Sequence, residues 1–136
     1  MAAKAQALVV EGVGGLLCPI TDDFWVLHLA RLLRLPLVIV ARAALGTINH
    51  TLLTLHAARS AGLAVAGIIL NRHGCPASDP SLASNAAQIS ALGRVPILAI
   101  VDTDPASDVS TGQLGSATLN CLAGVDWRAL AGLSPA

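Results

Sequence analysis

Four short runs of apolar residues recur along the 136-residue chain and predict four β-strands. They cover residues 7–10, 37–40, 64–70 and 97–101. Each run is bounded by polar or turn-forming residues, too short for a stable helix and apolar on both faces. This pattern is typical of strands in a parallel sheet that is covered on both sides.

The segments between these runs place apolar residues at helical spacing. We predict helices over residues 24–34, 47–61, 81–92 and 111–123, and a loose tail over residues 124–136. Asp22 or Asp23 is placed to cap the first helix, and Thr47 is placed to cap the second. Gly62 follows the second helix where a glycine commonly ends one.

The alternation of strands and helices predicts an α/β fold in a single domain over residues 1–136. Right-handed crossovers then give a three-layer arrangement, with a mainly parallel sheet and flanking helices. Ligands of such folds bind at the carboxyl ends of the strands. The loops after Val10, Val40 and Leu70 are therefore the first places to look for a site.

Composition narrows the class of protein. Hydrophobic residues make up 54% of the chain and aromatics only 2%, which suits thin helices on buried strands better than an antiparallel sandwich. The formal net charge is zero, so we expect no nucleic-acid or acidic-membrane partner. Cys18, Cys75 and Cys121 form no C-x-x-C pair, which favours the reducing cytoplasm over a disulfide framework or a zinc site.

The loop after the first predicted strand combines one carboxylate with several glycines. Glu11 is followed by Gly12, Val13, Gly14 and Gly15. The carboxylate can bind a hard cation such as Mg²⁺, and the glycines let backbone amides approach phosphate oxygens. A glycine-rich turn packed tightly against its surroundings explains the same residues equally well.

The second predicted helix begins after Leu45-Gly46 and carries Asn49 and His50 in its first turn. Its unpaired N–H groups and dipole favour a carboxylate or a phosphate. Capping alone is the alternative, and for His50 a hydrogen-bonded position at the helix start is favoured over a catalytic base.

Asn71 ends the third predicted strand. Its amide could pair with a purine edge, or it could close its own turn. His28 and His56 lie within predicted helices without a ligand partner one turn away, so we interpret both as satisfied side chains. No G-x-x-x-x-G-K-[ST] phosphate loop occurs in the sequence, and Lys4 is its only lysine.

Three segments together resemble dethiobiotin synthetase, in both order and spacing. They are residues 9–17 (VVEGVGGLL), residues 35–54 with LPLVIV and LGTINHTLLT, and residues 66–71 (AGIILN). The similarity covers roughly residues 7–101. The helix start LGTINH is the most specific element, because related P-loop amidoligases share only the E-G-x-G pattern.

The resemblance implies a P-loop NTPase-like fold that is incomplete at the N-terminus. It also implies an ATP- and Mg²⁺-dependent enzyme that forms a ureido ring from 7,8-diaminononanoate and CO₂. By this resemblance Glu11 binds Mg²⁺, while Gly12, Val13 and Gly14 line the nucleotide and the substrate. By the same resemblance, Asn71 forms hydrogen bonds with the adenine base. The substrate carboxylate is held across a homodimer interface by a helix start that corresponds to Gly46, Thr47, Ile48 and Asn49.

The sequence departs from the family at several positions. The N-terminal region with the phosphate loop, a substrate-facing lysine and a second Mg²⁺-binding carboxylate has no counterpart, so we expect this chain alone to be inactive. Asp102 follows the last strand where the family usually has a proline in the adenine-site loop, and His28 replaces a more common acidic residue. The sequence assigns no role to Asp102 or His28.

Two other interpretations remain. A P-loop ligase of the cobyrinate-amidase type would also have the E-G-x-G strand, although the helix start at residues 46–50 speaks against it. A non-catalytic binding or dimerisation domain could retain the sheet after losing its phosphate loop. A phosphate-loop segment encoded upstream of Met1 would distinguish the enzyme from the non-catalytic domain.

Overall fold

The computed structural model describes residues 8–76, 78–108 and 110–132 and has an α/β fold, as predicted. Strands and helices alternate along most of the chain. In order they are β1 (Pro19–Thr21), β2 (Phe24–Trp25), α1 (Val26–Leu33), β3 (Leu37–Arg42), α2 (Thr47–Ser60), β4 (Val65–Asn71), a 3₁₀ helix (Pro80–Ala83), α3 (Asn85–Gly93), β5 (Ile97–Val101), α4 (Ser116–Ala123) and α5 (Trp127–Leu130).

The central sheet is parallel, with strand order β3-β4-β5. Ile68 and Leu70 of β4 lie in the core shared with α2 and α3, whereas Ile69 between them packs in a second core with α4 and α5. Alternate residues of one buried strand therefore support opposite helical layers. The three-layer prediction is confirmed.

One predicted strand is wrong in the described part of the chain. Ala7 lies outside the described residues, and residues 8–10 form no strand there. Leu8, Val9 and Val10 are exposed, and Val40 on the neighbouring edge strand β3 is also 65% exposed. An apolar run becomes a strand only where a neighbour supplies hydrogen bonds, and none of the described strands pairs with this one.

The start of α1 also differs from the prediction. Asp22 and Asp23 do not cap it, because they form the turn between β1 and β2, an antiparallel hairpin that the sequence pattern did not predict. The helix begins two residues later than predicted, at Val26. Backbone carbonyls take the place of a side-chain cap: the Val26 N–H donates to the Cys18 carbonyl (3.0 Å) and the Leu27 N–H to that of Leu16 (2.8 Å).

Smaller differences concern the ends of other elements. Gly46, not Thr47, is the N-cap of α2, and the predicted helix over residues 81–92 is split into the 3₁₀ helix and α3. Residues 124–136, predicted as a loose tail, include α5 and the buried Val125, while residues 133–136 lie outside the described part. None of the described helices is long and apolar enough to cross a membrane.

Candidate functional site

The carboxyl ends of β3 and β4 are joined by a backbone hydrogen bond just beyond the strands. The Ala43 N–H donates to the Asn71 carbonyl at 2.9 Å, and Ala43 is 1% exposed. The loop that leads from β3 into α2 therefore lies beside the end of β4. The start of α2 and Asn71, predicted separately from the sequence, belong to the same edge of the sheet.

The backbone at the start of α2 leaves N–H groups without a capping side chain. Gly46 has φ +91° and no side chain to cap the helix. The Thr47 N–H donates to the Ala44 carbonyl (3.1 Å), and the His50 N–H donates to that of Gly46 (3.2 Å). Ile48 and Asn49 thus carry the first-turn N–H groups that an anion at this helix start would meet.

The side chains of these predicted substrate-binding residues differ in accessibility. Thr47 is 4% exposed, and its Oγ1 lies 3.3 Å from Oγ1 of the buried Thr51. Ile48 packs against the core between the sheet, α2 and α3. Asn49 and His50 are exposed. Thr47 and Ile48 can therefore contribute backbone groups only, whereas Asn49 also offers its amide.

Asn71 closes its own turn, as one of the two interpretations anticipated. Its Oδ1 accepts the His73 N–H at 2.9 Å, so the side-chain NH₂ is the polar group left to bind a nucleotide base.

The next residue, Arg72, connects three segments of the chain. Arg72 forms an ion pair with Asp102 (3.1 Å), donates to the Leu82 carbonyl (3.2 Å) and donates its N–H to the Val101 carbonyl (2.7 Å). Asp102 thus has a structural role that the sequence did not assign.

A second loop, residues 11–18, carries the predicted cation ligand and is held by the N-terminal end of α1. Glu11 and Val13 are exposed. A Cβ added to Gly12 would lie 3.0 Å from the Val26 side chain, and one on Gly14, at φ +70°, would lie 2.6 Å from Cys18 Sγ. Tight packing therefore accounts for these glycines independently of any ligand. Among the described residues, no group of three or more His, Cys, Asp or Glu side chains could enclose a metal ion.

His28 forms a hydrogen bond at the start of α1, which confirms its interpretation as a satisfied side chain, although the sequence did not identify its partner. The Trp25 N–H donates to His28 Nδ1 at 3.0 Å, and the rings of Phe24 and Trp25 lie 5.6 and 5.7 Å from the imidazole. Glu or Gln usually makes this bond from the third helical position. The position of His28 three residues after the N-cap was the available signal.

A distant segment also reaches the β3–α2 loop. The Asp79 carboxylate accepts the Leu45 N–H at 3.0 Å, as well as the backbone N–H (2.9 Å) and hydroxyl (2.6 Å) of Ser81. Hydrogen bonds from the Ser81 side chain and backbone, followed by the Leu45 N–H, favour the charged form and lower the pKa of Asp79, opposed by partial desolvation. This contact across the sequence was not predicted.

A shallow concave surface at the opposite edge of the sheet competes with this location. Arg31, Arg34 and Gly62 contribute to it, beside the residues that lead into β3 and β4. We place the candidate site at the carboxyl edge because the loops of parallel α/β sheets converge there.

Comparison with known proteins agrees with this architecture. A family model described as an AAA domain matches residues 1–111. The ATP-dependent dethiobiotin synthetase BioD of Anaeromyxobacter dehalogenans (strain 2CP-1) is 49% identical over 116 residues, which are 85% of this chain and 52% of the relative. The protein of the same name from Bacillus subtilis (strain 168) is 44% identical over 97 residues, which are 71% and 42% of the two chains.

The chain spans about half the length of the curated relatives it matches. The resemblance to dethiobiotin synthetase inferred from the motifs is confirmed at the level of sequence similarity. Since the family model covers most of the sequence and the parallel three-layer fold agrees with it, this chain belongs to the AAA domain family.

Proposed function

We propose that this chain is part of an ATP- and Mg²⁺-dependent ligase that forms the ureido ring of dethiobiotin from 7,8-diaminononanoate and CO₂. The name of its relatives supports ATP dependence and the dethiobiotin product. The observation that carries the proposal is the 2.9 Å bond from the Ala43 N–H to the Asn71 carbonyl. It brings the loop that leads into α2 to the end of β4, so both predicted binding segments lie at the carboxyl edge of the sheet. The 49% identity to a dethiobiotin synthetase supports the same activity.

The reaction requires positioning more than covalent catalysis. A carbamate is a poor electrophile until its oxygen becomes a phosphate leaving group. The protein must therefore hold the diamine, the carbamate and the nucleotide together and neutralise phosphate charge. A parallel sheet with several loops at one edge suits this task.

In this proposal each predicted residue has a limited role. The N–H groups of Ile48 and Asn49, with the Asn49 amide, bind the substrate carboxylate after the turn at Gly46, and Thr47 holds the helix start through its contact with Thr51. The Asn71 NH₂ contacts the adenine. Backbone amides of Gly12, Val13 and Gly14 line the nucleotide.

The donor set fits Mg²⁺ only as a site completed by phosphates and water. Glu11 offers one exposed carboxylate, and the described residues contain no metal-binding cluster around it. Mg²⁺ commonly binds one or two carboxylates together with nucleotide phosphates. When bound, the ion would neutralise charge on the transferred phosphoryl group. Glu11 would hold and orient it.

The exposed face of α2 supports a homodimer in which the substrate site is shared. Leu53 is 59% exposed and lies one turn after the exposed Asn49 on α2, and Leu45, in the loop before the helix, is 85% exposed. We expect Leu53→Glu to shift sedimentation towards the monomer. Leu92→Glu on α3, where the leucine is 63% exposed, is the matched control and should leave the mass unchanged.

Activity also requires a phosphate-binding segment, since the sequence contains no phosphate loop. The test is to fuse the part of the Anaeromyxobacter relative that this chain does not match ahead of the chain. Ureido product is then measured from the diamine, MgATP and bicarbonate. We expect product from the fusion and none from the chain alone.

Two variants of the fusion test the Mg²⁺-binding role of Glu11 and the adenine-binding role of Asn71 separately. Glu11→Gln should abolish Mg²⁺-dependent turnover while leaving the melting temperature unchanged, and Asn71→Ala should mainly reduce the preference for ATP over other nucleotides. A folded fusion without product would contradict the proposed activity. Robust turnover by the chain alone would contradict the need for a separate phosphate loop.

A further inference from the structure

The β3–α2 loop cannot fix its own conformation through its side chains. Residues 43–46 are Ala-Ala-Leu-Gly and contain no polar side chain. Gly46 also adopts φ +91°, in the left-handed region that residues with a side chain rarely occupy. The loop must therefore be ordered by groups from elsewhere in the chain.

Two side chains, Asp79 before α3 and Asn85 at its start, supply these groups, and Ser81 links them; we call these three residues the polar clamp. Asp79 Oδ2 accepts the Leu45 N–H at 3.0 Å. Asn85 Nδ2 donates to the Ala43 carbonyl at 2.8 Å and to Ser81 Oγ at 3.2 Å. The contacts to the loop bridge 34 and 42 residues of sequence.

The clamp is internally ordered, because each member fixes the next. Ser81 accepts from Asn85 and donates to Asp79 Oδ1 at 2.6 Å. Capping of the 3₁₀ helix explains the use of Asp79 Oδ1, but it does not require the bond that the Leu45 N–H donates to Oδ2. Asn85 is 2% exposed, so its amide depends on the Ala43 carbonyl and Ser81 for hydrogen bonds.

The clamp and β4 hold the loop from two sides. The Ala43 N–H bonds to Asn71, and its carbonyl bonds to Asn85. The Leu45 N–H is then fixed by Asp79, one residue before the helix cap. The first-turn N–H groups of Ile48 and Asn49 consequently have a defined position before any ligand arrives, which lowers the ordering cost of binding.

We propose that Asp79, Ser81 and Asn85 are positioning residues that pre-organise the start of α2 for the carboxylate of the diamine substrate. This inference rests on the proposed function, because it assigns that helix start to substrate binding. The clamp does not touch the substrate. It acts through the backbone of residues 43–46.

Amide hydrogen exchange of the 136-residue chain tests the structural half of the proposal. Asp79→Ala should accelerate exchange at Leu45 by about tenfold, since its hydrogen bond to a charged group is lost. Asp108→Ala is the matched control. Asp108 also accepts the N–H (2.8 Å) and hydroxyl (2.6 Å) of the serine two residues later, but that serine, Ser110, belongs to the β5–α4 connection. Unchanged exchange at Leu45 in Asp79→Ala overturns the clamp.

Kinetics of the active fusion test the functional half. Asp79→Ala should raise KM for the diamine about tenfold and change kcat by less than about twofold, because the lost order affects binding of the carboxylate. The methyl ester of the diamine should show no such difference between the parent and Asp79→Ala. Asn85→Ala, if it folds, should behave like Asp79→Ala, and Asp108→Ala should match the parent.

The outcomes are distinguishable. An active parent fusion with equal KM values in Asp79→Ala overturns the positioning role and leaves the proposed activity standing. An inactive parent fusion overturns the proposed activity and, with it, the assignment of the clamp to substrate binding. Faster exchange together with a carboxylate-dependent rise in KM supports both.

Discussion

Gly115 lies directly against the carboxylate of Asp104, so closely that an added Cβ would overlap the carboxyl group. Asp104 Oδ2 accepts the Thr118 N–H, and Oδ1 accepts the Ala106 N–H, both at 3.0 Å. The carboxylate thus connects the turn after β5 to the first turn of α4. Glycine at position 115 allows the helix to approach this acceptor.

We expect Gly115→Ala to lower the free energy of unfolding by about 1–3 kcal/mol, the usual cost of overpacking a closely packed site. Urea denaturation measures the change. Gly124→Ala is the matched control, because its Cβ would lie 3.6 Å from the Cys121 carbonyl, an ordinary contact. Equal stability of Gly115→Ala and the parent would show that Asp104 moves freely away from α4.

The hydrogen bonds to Asp104 also predict a pH dependence of stability. N–H groups of Thr118 and then Ala106 lower the pKa of Asp104 below its ordinary value of 3.8, opposed by partial desolvation. The native state therefore binds the proton less readily than the unfolded state. The stabilisation is present above pH 3.8 and is lost as the pH falls through the lower native pKa.

Urea midpoints measured from pH 7 down to pH 2, a range chosen to bracket both pKa values, should fall less steeply in Asp104→Asn than in the parent. Some acid dependence should remain in the variant, since Ser81 lowers the pKa of Asp79 and Ser110 that of Asp108. Parallel curves for the variant and the parent would remove Asp104 as a source of the acid sensitivity.

Gly46→Ala should destabilise the chain by about 1–2 kcal/mol through backbone strain at φ +91°. Space is not the reason, because the nearest atom to the added Cβ is His50 Cε1 at 3.8 Å. Gly46→Asn should lose less, since asparagine tolerates this conformation better. Thermal unfolding measures both losses.

Gly62→Ala is the matched control, because it introduces similar backbone strain at the other end of α2, away from the candidate site. Gly62 has φ +76° with open space around it, but it follows α2 at the amino edge of the sheet. Both alanine variants should lose stability, whereas only Gly46→Ala should weaken diamine binding in the fusion. Equal effects on binding would contradict the assignment of the site to the start of α2.

Arg59 of α2 caps the C-terminal end of α3. It donates to the Gly93 carbonyl at 2.6 Å and to the Arg94 carbonyl at 3.1 Å. We expect Arg59→Gln to cost about 1 kcal/mol, because orphan carbonyls at the helix end lose a charged donor. Arg31→Gln in the last turn of α1 should cost only a few tenths of a kcal/mol. Denaturant midpoints of the two variants should therefore differ, and equal midpoints would contradict the cap.

Local sequence patterns predicted the strands that are formed by continuous runs of buried apolar residues. Residues 37–40, 64–70 and 97–101 are apolar on both faces, and they became β3, β4 and β5 with ends shifted by no more than two residues. The same pattern failed at residues 8–10. An apolar run specifies a strand only if a neighbouring strand is present to complete its hydrogen bonds.

Polar residues were harder to assign, because several local structures satisfy the same side chain. Asp22 and Asp23 suit a helix cap and a hairpin turn equally well, and the structure uses them in the turn. His28, Asp102 and Asp79 received no role from the sequence. Their partners are the Trp25 N–H, Arg72 and the Leu45 N–H.

The sequence by itself determined the α/β class, the parallel core strands, helix α2 and the family resemblance, because hydrophobic periodicity and contiguous motifs are local properties. Only the tertiary structure decided that the β3–α2 loop lies beside Asn71 and that Asp79 and Asn85 hold this loop. Those hydrogen bonds join residues 28 to 42 positions apart, and chain folding alone brings such groups within bonding distance.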